Sequence, residues 1–216
     1  MSIIIERFNK IKSNISNLKL TQEVKIVAVS KTFPLSHIKP LIDYGHTHFG
    51  ENKVQEAKSK WLELKKSSKN FKLHMVGKLQ TNKVKNALEI FDYIHSLDNQ
   101  RLADTLSKFQ QNLNKSLKYF IQVNIGNEIQ KSGIPPSELD GFFDYCTKEK
   151  NLNVIGLMVL PPNDNNTKKY FEKMRDLSNS LSLKELSMGM SADYLEAVHF
   201  NSSYVRIGSQ IFGSRN

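Results

Sequence analysis

Eight short, β-rich apolar runs recur along the chain with helix-length gaps between them. They are Lys25–Ser30, His46–Gly50, Lys72–Gly77, Tyr93–Leu97, Lys118–Asn124, Asn153–Leu160, Glu185–Met190 and Tyr204–Gly208. Their starts are separated by 21, 26, 21, 25, 35, 32 and 19 residues. Most of the runs are nearly continuous in apolar residues, the pattern of strands buried on both faces of a parallel sheet. Each gap can hold a helix and two short loops. Val54, Ala57, Trp61 and Leu64 fall at helical spacing, as do Leu102, Leu106, Phe109 and Leu113, and also Leu139, Phe142, Phe143 and Cys146. Ile4, Phe8, Ile11, Ile15 and Leu18 predict one more helix before the first strand. Eight consecutive βα units predict a single-domain α/β chain over residues 1–216, a (β/α)8 TIM barrel with an extra N-terminal helix. Such barrels take about 250 residues and can manage with about 200, so this is a short one. An open doubly wound sheet is the rival, and no Gly-rich dinucleotide fingerprint after the first run supports it.

Composition narrows the function classes. No apolar run approaches the roughly 18 residues of a membrane span, and Glu6-Arg7 interrupts the N-terminus too early for a secretory signal. One cysteine, Cys146, leaves no disulfide framework and no Cys-cluster metal site, so a cytoplasmic setting is expected. The net charge is +10. The lysines are spread along the chain, densest over Lys53 to Lys72, and read as solvated helix and loop surface. A basic RNA- or membrane-binding module is the competing reading of that charge, but no basic–aromatic alternation or nucleic-acid module accompanies it.

A barrel places its chemistry at the C-terminal ends of the strands. Ser30-Lys31-Thr32 follows the first run, Glu51-Asn52 the second and Lys78 to Lys83 the third. A lysine over an apolar mouth loses hydration, so its amine is neutralised more readily and can form a Schiff base; a solvated strand-end lysine is the bland alternative. Barrels commonly bind phosphate with the loops after strands seven and eight. Here those loops read Ser187-Met188-Gly189-Met190-Ser191 and Arg206-Ile207-Gly208-Ser209. Glycines admit close backbone approach and serines add donors, although tight turns use the same residues. Ser191 is also the expected N-cap of a helix over Ala192–Phe200. A lysine after strand one combined with such a cup is the arrangement expected for pyridoxal 5′-phosphate (PLP).

Seven ordered motifs then carry a resemblance. They are VAVSKTFP (Val27 to Pro34), HFGENKVQEAKSK (His48 to Lys60), HMVGKLQTNKVK (His74 to Lys85), IHSLDNQRLA (Ile94 to Ala103), GLMVLPP (Gly156 to Pro162), LSMGMSADYLEAV (Leu186 to Val198) and VRIGSQIFGSR (Val205 to Arg215). Together they resemble the PLP homeostasis protein family, formerly labelled proline synthetase co-transcribed and related to the N-terminal barrel of alanine racemase. The resemblance implies a PLP fold-type III barrel with the cofactor bound to Lys31 as an internal aldimine and Asn52 near its ring. It implies a phosphate site of Ser187, Gly189, Ser191, Gly208 and Ser209, with Arg206 facing the pyridine nitrogen. It implies a cytoplasmic protein, monomeric and non-catalytic, that carries or buffers PLP in vitamin B6 and amino-acid homeostasis, with apo PLP-dependent enzymes as partners. A weak PLP-dependent amino-acid racemase is the alternative. Two places depart from the family pattern: Lys78 stands where many members have histidine, and Glu128, Lys131 and Gly133 fill a following segment loosely.

His46 and His48, two residues apart and so on one side of a strand, could chelate, but the ligand set is incomplete and no metal site is expected. Glu51 reads as a first-turn helix acid or a base, and Trp61 as core. Arg206 cannot accept a proton from a pyridine nitrogen, which leaves the ring a weak electron sink. Racemisation also needs a second acid/base, which alanine racemase takes from a further domain. With the sequence ending shortly after Gln210, no such domain is expected, and Tyr194 and Tyr204 are unconvincing substitutes.

Overall fold

The eight apolar runs all form strands, and in a computed structural model of the chain they pair in sequence order, each parallel to the next, until the last closes on the first. The structure describes residues 2–67, 70–128 and 130–214; Arg215, the last residue of the final motif, lies outside them. Helix α1 (Ile3–Ser16) leads into β1 (Lys25–Val29), α2 (Leu35–Asp43), β2 (His48–Glu51), α3 (Val54–Ser67) and β3 (Lys72–Met75). Then come α4 (Val84–Ile90), β4 (Tyr93–Leu97), α5 (Gln100–Asn112), β5 (Lys118–Val123), α6 (Leu139–Asp144) and β6 (Val154–Val159). The chain closes with α7 (Thr167–Ser180), β7 (Glu185–Ser187), α8 (Tyr194–His199), β8 (Tyr204–Ile207) and α9 (Ser209–Phe212). Among the described residues no helix is long and apolar enough to cross a membrane.

Strand alternation splits the apolar residues into two cores. One set faces the helices: Ile26, Ala28, Phe49, Leu73, Ile94, Ile121, Leu157, Leu186 and Val205 belong to the main cluster with Leu41, Trp61, Leu102 and Phe171. The alternate set fills the barrel, where Val27, Tyr93, Phe120, Met158 and Tyr204 form a smaller cluster. The interior also takes polar groups that the apolar pattern hides. His74, His95 and Ser187 are fully buried there and Arg206 is only 5% exposed. Buried polar side chains persist when they are hydrogen-bonded, and these are bonded to one another. The predicted N-terminal helix forms as expected. Ile4, Phe8, Ile11 and Ile15 bury one stripe of α1, which packs against α2, α8 and α9 on the outer ring.

Local boundaries differ from the sequence reading for identifiable reasons. β2 begins at His48, not His46. The His46 ring packs against Phe8 and Phe49, and its Nε2–H donates to the His48 carbonyl at 2.8 Å, so the two imidazoles do not share a strand face. β7 stops at Ser187 because the chain turns at Gly189, whose φ is +89°. A Cβ there would lie 2.6 Å from Ala197 Cβ and 2.9 Å from Tyr194 Cα, so only glycine lets α8 close on this turn. α8 starts at Tyr194 and its N-cap position is Asp193. The Asp193 carboxylate accepts the Met190 N–H at 2.6 Å, and Ser191 is not the cap. Glu51 is neither a first-turn acid nor an exposed base: it is the last residue of β2 and fully buried.

Candidate functional site

The end of β1 is held from outside the barrel by α3. Lys60 Nζ donates to the Ser30 carbonyl at 2.9 Å, to Glu51 Oε1 at 2.9 Å and to Glu56 Oε1 at 3.0 Å. Glu51 Oε1 also accepts from Ser30 Oγ at 2.7 Å and from Trp61 Nε1 at 2.9 Å. The Thr32 N–H donates to Glu56. Burial opposes ionisation of Glu56, yet the Thr32 N–H and the Lys60 ammonium outweigh it and hold the carboxyl below the usual range. Thr32 sits at φ +70°, a left-handed conformation that a β-branched residue adopts only when its surroundings impose it. The residues on both sides of Lys31 are therefore pinned, one through its carbonyl and the other through its N–H. This clamp was not legible in the sequence, which assigned Lys60 to a solvated face; its side chain is 8% exposed.

Lys31 opens onto a cavity of about 690 Å³ at the C-terminal mouth of the barrel. Of the eight residues picked from the sequence, Lys31, Asn52, Ser191, Arg206, Gly208 and Ser209 line this one cavity. Val29, Val76, Leu160 and Met190 give it apolar walls. Ser191 and Ser209 present hydroxyls 3.1 Å apart, and Gln210 holds the Ser191 carbonyl through its side-chain amide at 2.6 Å. Asn52 Oδ1 is buried with no hydrogen-bond partner among the described residues. Ser187 and Gly189 are not in the lining. Ser187 points into the barrel, where Oγ meets His95 and Arg206. Gly189 faces α8, and its carbonyl accepts the Arg206 backbone N–H at 2.9 Å.

Arg206 bridges the interior and the mouth. Its Nη1 donates to the Ser187 carbonyl and to Ser187 Oγ, each at 2.6 Å, and Nη2 donates to the Val159 carbonyl at 2.7 Å. Burial lowers its pKa to about 10, which leaves it a cation at neutral pH. Neither tyrosine weighed from the sequence reaches the cavity. Tyr194 Oη accepts from Asn14 Nδ2 at 3.0 Å on the α1 side, and Tyr204 lies in the interior cluster. The departures from the motif pattern also fall outside the lining. Lys78 belongs to an adjacent cavity with Lys53 and Lys83, and Lys131 pairs with Glu128 at 2.6 Å.

The sequence model of the family "Alanine racemase, N-terminal domain" matches residues 7–216. A pyridoxal phosphate homeostasis protein of Aquifex aeolicus is 38% identical over 202 residues, covering 88% of this chain and 87% of that protein. The chain belongs to this family. The structure of PipY from Synechococcus elongatus with PLP bound superposes with a TM-score of 0.86 at 34% identity, covering 97% of this chain and 100% of that one. An alanine racemase from Clostridium difficile shares the fold at 17% identity and a TM-score of 0.70; the match covers 94% of this chain and 55% of that one. The residues at the mouth fit the cofactor that the family implies. The orphaned Asn52 Oδ1 offers an acceptor, and Ser191 and Ser209 converge as donors. Gly208 leaves a cradle in which even a Cβ would sit 3.2 Å from the Val29 carbonyl.

Proposed function

We propose that this chain binds PLP at the barrel mouth, holds it covalently through Lys31 Nζ, and carries or buffers it in vitamin B6 and amino-acid homeostasis with little or no turnover. The reading places it in the cytoplasm, as a monomer, with apo PLP-dependent enzymes as recipients. When bound, PLP supplies an aldehyde and a ring able to draw charge from an adjacent carbon. The chain supplies the Lys31 amine on a backbone held at both neighbours, with apolar walls from Val29, Val76 and Met190. Ser191 and Ser209 provide hydroxyl donors, with Gly208 leaving room for the phosphate between strand and helix. Arg206 can donate to a ring nitrogen but has no acceptor to take its proton.

One observation carries the non-catalytic part. Among the described residues lining the mouth, Lys31 and Arg206 alone are ionisable, and Arg206 is engaged with Ser187 and Val159. Racemisation removes a proton on one face and returns it on the other, and Lys31 can serve one face. The relatives' name and the PLP-bound PipY structure support the binding part.

Borohydride reduction of the PLP-loaded protein is expected to fix the cofactor on Lys31, with no adduct at the mouth in Lys31→Ala. Peptide mapping that found the adduct on another lysine with Lys31 bare would overturn the assignment. Steady-state assays following both enantiomers of alanine and serine are expected to show no sustained turnover. A rate above about 1 s⁻¹ that disappears in Lys31→Ala would replace the carrier with an enzyme.

A further inference from the structure

A column of hydrogen-bonded side chains crosses the barrel from base to mouth. At the base, His48 lines a cavity of about 360 Å³ beneath α1. His48 Nδ1 lies 2.8 Å from His74 Nε2 on β3, and His74 Nδ1 lies 2.9 Å from His95 Nε2 on β4. His95 Nδ1 lies 2.8 Å from Ser187 Oγ on β7, which accepts from Arg206 Nη1 at 2.6 Å. Arg206 in turn lines the mouth. Stacked rings hold the imidazole planes: Tyr93 covers His74 at 4.2 Å and Phe120 covers His95 at 4.3 Å.

Proton counting gives the column a direction. Arginine only donates, so Ser187 Oγ must accept from Arg206. Among the described residues the other hydrogen-bond partner of Ser187 Oγ is His95 Nδ1, so the single Ser187 O–H finds its acceptor there in the resting column. A neutral imidazole that accepts at Nδ1 carries its proton on Nε2, so His95 donates to His74 Nδ1, and His74 by the same rule donates to His48 Nδ1. Burial keeps His74 and His95 neutral, reinforced at His95 by the Arg206 charge.

We propose that His48, His74 and His95 are positioning residues that fix the Ser187 hydroxyl, and through it the Arg206 guanidinium, and that couple the protonation of the barrel base to the mouth. The coupling balances with one proton. The incoming proton is taken from solvent, the Ser187 hydroxyl ends with one hydrogen as it began, and Arg206 remains a guanidinium cation in both arrangements. Ser187, His95 and His74 each hand one proton a place toward the base. His48 ends doubly protonated, His74 and His95 carry theirs on Nδ1, and Ser187 Oγ now accepts from both His95 and Arg206. The groups facing His48 set where this occurs. They are Lys25 and Glu23 at the start of β1, Lys72 on β3, Asp92 before β4, His74, Tyr93 and Tyr204 inside, His46 on its own segment and Lys12 of α1 across the cavity. Burial and then Lys25 hold His48 below the ordinary histidine value, with Glu23 opposing them.

The test is read on the full chain without added cofactor, so it stands apart from the Lys31 assignment. Long-range 1H–15N NMR of histidine-labelled protein near pH 8 is expected to show protonated Nε2 and bare Nδ1 on all three residues. As the pH falls below the ordinary histidine range, to which burial and Lys25 delay His48, His74 and His95 are expected to switch to Nδ1–H in the same step that protonates His48. In His48→Gln, whose side-chain oxygen accepts but does not titrate, both are expected to keep Nε2–H throughout. A His74 or His95 carrying Nδ1–H near pH 8 would overturn the proposal. So would a His48 titration that leaves them unchanged, or the same switch in His48→Gln.

Discussion

Gly208→Val is expected to weaken PLP binding about 100-fold, whereas Ser209→Ala is expected to weaken it less than about tenfold. The two changes lie side by side at the end of β8 and separate volume from hydrogen bonding. At Gly208 even a Cβ would lie 3.2 Å from the Val29 carbonyl and 3.6 Å from Val29 Cβ. The two further carbons of valine must press on β1 or enter the mouth between Lys31 and Ser209. Overpacking of this kind costs about 1–3 kcal/mol, and 2.8 kcal/mol corresponds to about 100-fold in Kd. Ser209 contributes one hydroxyl beside Ser191 at 3.1 Å at the exposed start of α9. Losing one such bond costs about 0.5–1.5 kcal/mol. Equilibrium titration followed by cofactor absorbance measures both. Equal, small losses would place the phosphate elsewhere, and a larger loss for Ser209→Ala would make hydroxyl donation the main source of affinity.

How far the sequence reaches depends on whether a residue's partners are near it in the pattern. The barrel was legible because each β-rich run and each helical stripe is a local periodic signal, and eight of them admit few closures. Lys31, Asn52, Ser191, Arg206, Gly208 and Ser209 were legible because a barrel gathers strand ends at one mouth, whatever the spacing between them. Ser187 shows the limit of that rule. It is the last residue of β7, but side chains alternate along a strand, and its parity turns it inward to His95 and Arg206. Gly189 was read as making room for a ligand, and it makes room for Ala197 and Tyr194. Glu51 read as a first-turn acid or a base and Lys60 as solvated surface because their compensation is tertiary: one carboxylate oxygen receives Ser30, Lys60 and Trp61. The histidine column left one faint signal. His48, His74 and His95 each sit inside a strand run, and only the closed sheet brings β2, β3 and β4 into adjacent register.

That column makes the fold acid-sensitive in a window that carboxylates do not share. Histidines in the unfolded chain protonate near pH 6.5. In the folded chain burial holds His74 and His95 well below that value. Below pH 6.5 the unfolded state therefore binds more protons, and stability falls as the pH falls. Each of these two fully buried histidines removes about 1.4 kcal/mol per pH unit in that range, or about 3 kcal/mol together. A typical domain has only about 5–15 kcal/mol in total. His46, which burial lowers to about 4, acts in the same sense until it protonates in the folded state. Asp98, whose carboxyl burial raises, opposes them by a single proton. For a chain of this length 1 kcal/mol moves Tm by about 2–4 °C, so Tm is expected to drop roughly 6–12 °C per pH unit below pH 6. Thermal melts from pH 8 to 5 measure it. His46→Phe, placed between Phe8 and Phe49, is expected to leave most of the slope, because His74 and His95 remain. A Tm that stays level from pH 6.5 to 5 would mean that the buried imidazoles are charged in the folded protein, a state in which facing N–H groups could not hold the column together.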